Sequence, residues 1–246
     1  QAGAQAEPFM AWLDDWSLQS IGPEWLPLSL KASEGAWSAS LNLSSEHPPV
    51  LQGQKGFSQK HPKGGGSHYY SQPFLAAAGK LTVDGEEVSV LGEAWLDREW
   101  SSQFLQPDQQ GWDWFALHLE SGEKLMVFRL RARGGETGGE TGGETGGEYI
   151  HGVLISPDGK KSQLDPDGMH LQVLASERIA GRELPLRWRL SITQPDRVFE
   201  VRALHADQWM ELDFPYWEGV VLVKGDAPGS RGRGYLEMTG YPIGEH

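Results

Sequence analysis

Trp37-Ser38-Ala39-Ser40-Leu41-Asn42-Leu43 places an apolar side chain at every second position, with Ser or Asn between. A period of two is that of a strand with one buried face, because successive side chains leave the pleat on opposite sides. Similar stretches predict strands over 16–21, 28–32, 81–83, 88–90, 112–119, 125–131 and 149–155, then 186–192, 198–201, 209–214, 217–223 and 235–239. Helical periodicity is scarce. Trp12-Leu13-Trp16 has helical spacing but little length, and 172–180 lacks an apolar stripe, so both read as irregular or short. Asp84-Gly85, Ser121-Gly122, Asp158-Gly159 and Asp167-Gly168 supply the positive φ of tight hairpins. Many short strands so joined predict an all-β chain that closes or covers its edges as barrels or sandwiches.

Two stretches break the pattern. Residues 47–67 hold Pro48, Pro49, Pro62 and several glycines among few apolar residues, which predicts a long surface loop. Residues 134–148 repeat Gly-Gly-Glu-Thr and predict a flexible, solvated hairpin tip, with a calcium-binding acidic tract as the alternative.

Composition removes several classes. Against 34 Asp and Glu the 246 residues carry 21 Lys and Arg, a net charge of −13, so a partner bound through its phosphate backbone is not expected. No cysteine is present, which excludes disulfides, thiolate nucleophiles and cysteine-type zinc sites. No window reaches the ~18 to 20 apolar residues of a membrane-spanning helix. The opening QAGAQAEPFMAW has no signal-peptide pattern and reads as a processed or trimmed end, which leaves localisation open. HExxH, GxSxG, GxxxxGK[ST] and a strand-to-helix GxGxxG are all missing. The histidines are scattered without metal-ligand spacing, so no metal is expected, while a Ser-His-Asp triad assembled from distant strands stays open. Asn42-Leu43-Ser44 matches a glycosylation pattern but falls inside a predicted strand.

Charge gathers among aromatics in Glu93-Ala94-Trp95-Leu96-Asp97-Arg98-Glu99-Trp100. On a strand, Trp95, Asp97 and Glu99 share one face, and Leu96, Arg98 and Trp100 the other. The two carboxylates would then stand ~6 to 7 Å apart along the backbone, close enough to couple in a dry pocket and yield a neutral-pH acid. The competing reading is a satisfied ion network, in which Arg98 pairs with a second carboxylate such as Asp113. In Gly111-Trp112-Asp113-Trp114-Phe115-Ala116-Leu117-His118, one face takes Trp112, Trp114 and His118 and the other takes Phe115, Leu117 and Leu119. That suits a barrel wall with packing outside and a ligand cavity inside. His118 alone reads more readily as a satisfied polar group than as a catalyst.

Five ordered motifs carry a resemblance: AGAQAEPFMAWLDDWSLQ; PPVLQGQKGFSQK; Tyr69-Tyr70-Ser71; WLDREWSSQFLQPDQQGWDWFALHL; and YWEGVVLVKG with GRGYLEMTGY. From about residue 2 to residue 241 the chain resembles the AttH and carotenoid 1,2-hydratase (hydroxyneurosporene synthase) family, often labelled predicted secreted hydrolases. The resemblance implies two lipocalin-like antiparallel β-barrel domains, a pocket at or between them, and no cofactor. It favours a periplasmic or secreted location. It also implies further strands before AGAQA, so the first domain is expected to lack its N-terminal strands, with a separate N-terminal fragment or a second copy as the partner that completes it. Relatives include a carotenoid hydratase and polyene cyclases, and they carry Gln where His118 stands.

The domain expectation is 1–85 for the first domain and 86–246 for the second, with the boundary between Gly79 and Gly92. The expected function is binding a long apolar unsaturated ligand, polyene or terpenoid-like, and protonating, hydrating or cyclising it. Asp97 and Glu99 are the catalytic candidates, with Trp95, Trp112, Trp114, Tyr69, Tyr70 and His118 against the ligand. A noncatalytic lipid or polyene carrier and a carboxylate-dependent secreted hydrolase are the alternatives.

Overall fold

The computed structural model of the chain describes residues 1–103, 105–134 and 148–244, and the Gly-Gly-Glu-Thr tip lies almost wholly outside them. Its elements are nearly all strands, as alternation predicts. They are β1 (Ala2–Gln5), β2 (Met10–Leu13), β3 (Trp16–Ser20), β4 (Leu28–Glu34), β5 (Trp37–Ser44), β6 (Val50–Leu51), β7 (Phe57–Gln59), β8 (Gly66–Val83) and β9 (Glu86–Trp100). Then follow β10 (Gln109–Leu119), β11 (Lys124–Ala132), β12 (Tyr149–Ile155), β13 (Lys161–Gln163), β14 (Met169–Ile179) and β15 (Arg182–Thr193). The last are β16 (Asp196–Ala203), β17 (Trp209–Met210), β18 (Tyr216–Gly225) and β19 (Gly232–Thr239).

They form two antiparallel sheets. The first runs β1-β2-β3-β4-β5-β8-β6, with β7 and β9 also on β8; the second runs β13-β12-β11-β10-β19-β18-β16-β15-β14, with β17 on β18. One 3-10 turn, Pro166–Gly168, joins the two end strands of the second sheet and touches both β12 and β15. The sheet therefore curls until strands near its two edges flank a single turn. The chain divides into two compact units, Gln1–Val50 with Tyr70–Arg98, and Leu51–Tyr69 with Glu99–His246.

Alternation decides each core. In the second unit Phe115, Leu117 and Leu119 of β10 point inward with Leu125 and Val127 of β11, Trp188 and Leu190 of β15, Trp217 and Val221 of β18, and Leu236 and Met238 of β19. Trp188 and Trp217 are both fully buried. Gly219 makes room for the second indole, since a β-carbon there would stand 2.8 Å from its ring. Side chains thus fill the inner face, as in small barrels. The expectation of a ligand cavity on that face is corrected: Trp112, Trp114 and His118 belong to the face turned away from this core. The first unit has a smaller core of Leu28, Leu43 and Leu75, against which Phe9, Trp25, Ala94 and Leu96 pack.

Three sequence readings fail. Residues 47–67 are not a surface loop, for they contribute β6, β7 and the first residues of β8, and Gln52, Ser58, His61 and Ser67 are buried. Their polar composition hides a segment held by hydrogen bonds instead of apolar contact. Residues 172–180 belong almost entirely to β14, whose pairing with β15 shifts register at Val173/Ala175 and Ala175/Ser176. Those bulges erase the period on which the strand reading depends. The Trp12-Leu13-Trp16 patch is likewise strand, split between β2 and β3 across a turn at Asp14, φ 49°.

Candidate functional site

Trp95 and Asp97 share a face of β9, as the register predicts: Trp95 Nε1 donates to Asp97 Oδ1 at 2.9 Å. Arg98 leaves on the other side and lays its guanidinium 5.1 Å from the Phe9 ring and 5.9 Å from the Trp25 ring. It does not pair with Asp113, as expected for an ion network. Asp113 is fully buried in the second unit and accepts from Arg129 Nη2 at 2.9 Å, from Arg131, and from the Tyr241 hydroxyl at 2.7 Å. Burial and the Asp113 charge hold the Tyr241 phenol well above its ordinary range. Trp95, Asp97 and the half-buried Tyr70 fall in the first unit.

The other predicted site residues fall in the second unit, where Lys60 links several of them. Glu99 pairs with Lys60 Nζ at 2.8 Å and accepts from the Ser67 hydroxyl. The same ammonium lies 4.9 Å from the Tyr69 ring centre and 3.9 Å from that of Phe128. Trp114 Nε1 donates to the Tyr69 hydroxyl at 3.2 Å. Glu99, Tyr69 and Trp114 are thus joined through a lysine that the sequence reading passed over. Trp112, on the same face of β10, donates to Glu237 Oε1 at 2.6 Å and stacks on Phe214 at 5.5 Å. His118 Nδ1 sits 2.8 Å from the ammonium of Lys124, its partner across the β10–β11 ladder.

His151, from β12, lies beside Phe128 at 5.3 Å and is 4% exposed. Burial, with Lys60 and Lys161 adding to it, pushes its imidazole down to about 4. Lys161 in turn clasps the carbonyls of Leu51 and Gly53 at 2.5 and 3.0 Å, which fastens the 51–69 segment to β13.

His61 and Asp108 are the nearest approach to a hydrolytic pair, and they line a groove of about 380 Å³. The Lys63 amide donates to His61 Nδ1 at 3.0 Å, so Nε2 carries the proton and meets Asp108 at 3.2 Å. Both ring nitrogens are engaged, and neither is left to activate a serine. Among the described residues no group of three or more His, Asp or Glu is arranged to hold a metal ion, and no helix is long and apolar enough to cross a membrane.

The sequence reading missed Lys60, His151, Glu218 and Glu237. Alternation through YWEGVV and GYLEMTG does carry the two glutamates to the face away from the core, and that was the available signal.

Residues 1–241 match the AttH-like family model. A crystal structure from Nitrosomonas europaea described as an AttH superposes with a TM-score of 0.81 at 30% identity, over 95% of this chain and 70% of that one. Kievitone hydratase from Nectria haematococca superposes with a TM-score of 0.71 at 18% identity, over 93% of this chain and 69% of that one. No curated protein matches the chain. Both solved neighbours share its lipocalin-like fold, and the chain belongs to the AttH-like family.

Proposed function

We propose that the protein binds a long apolar unsaturated ligand, polyene or terpenoid-like, and adds a proton and then water across a double bond or cyclises it, without a cofactor. The observation that carries this reading is the aromatic face of β10, whose Trp112 donates to the Glu237 carboxylate. Trp112, Trp114 and Phe214 offer ring area, which is what an apolar ligand needs. A structural neighbour named for a hydration reaction supports the reaction class. Asp97, held by the Trp95 indole, is the catalytic carboxylate we assign from the sequence; Glu99 is held by Lys60 and Ser67. A noncatalytic carrier needs only the aromatic face.

The test uses lycopene in detergent micelles and kievitone, in water enriched in ¹⁸O. Saturable quenching of tryptophan fluorescence, weakened in Trp112→Ala, is expected. So is ¹⁸O in the product, lost in Asp97→Asn at an unchanged melting temperature and retained in Glu99→Gln. Binding without ¹⁸O uptake by the wild-type protein leaves the carrier reading, and unchanged fluorescence with both probes removes the ligand class.

A further inference from the structure

Glu218 on β18 and Glu237 on β19 are Cα partners in an antiparallel ladder. Side chains at such positions leave the same face with their β-carbons ~4.5 to 5.5 Å apart, and two like charges there repel. The environments of the two differ. Glu237 accepts the Trp112 indole N–H at 2.6 Å, a bond made to a carboxylate oxygen. The Glu218 carboxyl, half-buried, has no hydrogen-bond or ion-pair partner among the described residues. Burial raises it above the ordinary carboxylate range.

Among the described residues no cation pairs with it. Just before β17, the Gln208 carbonyl accepts from the Glu218 amide at 3.3 Å, and the Gln208 side-chain amide donates to the Asp207 carbonyl at 2.8 Å. Tyr216 and Val220 flank it on β18, and Tyr235 flanks Glu237 on β19. Arg233 is four residues from Glu237 along β19, about 13 Å at the strand rise. Both tyrosines are held neutral: burial raises Tyr216 and Tyr235, and Glu218 adds to each shift. Two carboxylates in unlike settings, one anchored as an acceptor and one without a partner, are how proteins keep one acid protonated beside another that is ionised.

We infer that Glu218 enters the reaction proposed above as its proton donor, with Glu237 as the ionised partner that receives a share of the returned proton. The inference rests on that reading of the reaction. In the step, the alkene π pair forms a C–H bond to the Glu218 proton, leaving a carbocation on the ligand and a carboxylate on Glu218. A water oxygen then bonds to the cationic carbon, and the proton it sheds returns to the carboxylate pair. Alkene and water give an alcohol, and the pair ends as it began. The pair is doubly charged only while the cation exists, so the repulsion built into the ladder is offset by attraction to the intermediate. Trp112 and Phe214, stacked beside Glu237, supply ring faces for the same charge.

The donor state can be tested without any ligand. Infrared spectra at neutral pH should show a protonated-carboxyl stretch in the wild-type protein that vanishes in Glu218→Gln and persists in Asp97→Asn. With the two probes above, Glu218→Gln should lower ¹⁸O uptake by about a hundredfold or more while keeping fluorescence quenching and melting temperature. Glu218→Asp, which restores an acid on a shorter stem, should recover part of it. Absence of the stretch at neutral pH overturns the inference, as does normal uptake in Glu218→Gln. Wild-type protein that shows the stretch but hydrates neither probe retires the reaction reading and the donor role together. Turnover that survives Glu218→Gln but fails in Asp97→Asn retires the donor role alone.

Discussion

Asp113 shows what a buried charge costs at the scale of one residue. Its carboxylate is fully buried and meets Arg129, Arg131 and Tyr241, while the Arg131 guanidinium also donates to the Thr239 carbonyl. Removing one partner of such a set leaves the others charged in a dry interior. Asp113→Ala should therefore cost about 3–5 kcal/mol, seen as a fall of roughly 10 °C in melting temperature; a loss within 2 °C, on the order of 0.5 to 1 kcal/mol, would show the network to be dispensable. His151 gives a second prediction with a defined sign. Its folded-state value is about 4 against 6.5 for the exposed imidazole, so between those limits the unfolded chain binds more protons. Stability should rise with pH across that window, by roughly 3 kcal/mol in total, and should be complete above it. Denaturation midpoints from pH 4 to 7 should show the rise in wild-type protein and a flatter profile in His151→Phe, and parallel profiles would exclude the imidazole as the cause. At this scale the sequence told half the story. Period two put Arg98 and Asp97 on opposite faces of their strand, and the Trp95 to Asp97 bond agrees. It could not name the partners of Asp113, because Arg129 and Arg131 meet it through a cross-strand register that no single strand records.

Single elements show where local pattern suffices. Asp84-Gly85 adopts φ of 51° and 82°, the positive pair that its hairpin demands. Strands such as β5 and β10 were legible because each has one face toward an apolar core. The segment 51–69 was not legible, since its order comes from Lys161 on two carbonyls and from Lys60 between Glu99 and the rings. Such contacts join residues roughly 40 to 110 apart and leave no period. Glycine in a strand is a further case in which neighbours decide. At Gly152 of β12 a β-carbon would stand 2.5 Å from Met169 Sδ and 3.1 Å from Leu164 Cδ1. An alanine normally favours a strand over glycine. Here the gain is outweighed by overpacking under the turn that joins β13 to β14, and Gly152→Ala should destabilise by about 1–3 kcal/mol. Chemical denaturation would record this as a lower midpoint at unchanged slope, and an unchanged or raised midpoint would mean that Met169 and Leu164 yield freely.

Across the whole molecule the all-β class was legible, and strand order was not. The ladder that places β10 beside β19 joins residues more than a hundred apart, and β8 stands between β5 and β6 in its sheet. Pairings of that range are set by the total of buried faces, which no local window contains. The same totals predict how the molecule opens. The core of the second unit includes Phe115, Trp188, Phe199 and Trp217, all fully buried, whereas that of the first rests on Leu28, Leu43 and Leu75 with half-buried neighbours. Hydrophobic stabilisation scales with apolar area removed from water, so the first unit has less to lose before its ladders open. Local opening free energies follow such differences and set amide exchange rates. Hydrogen exchange read by mass spectrometry should find peptides from β2, β3 and β4 exchanging first, and those from β10, β15, β18 and β19 retained longest. Added denaturant should accelerate the first group before the second. Equal protection throughout, with one common denaturant response, would instead mean that the two cores open as one cooperative unit despite their unequal apolar content.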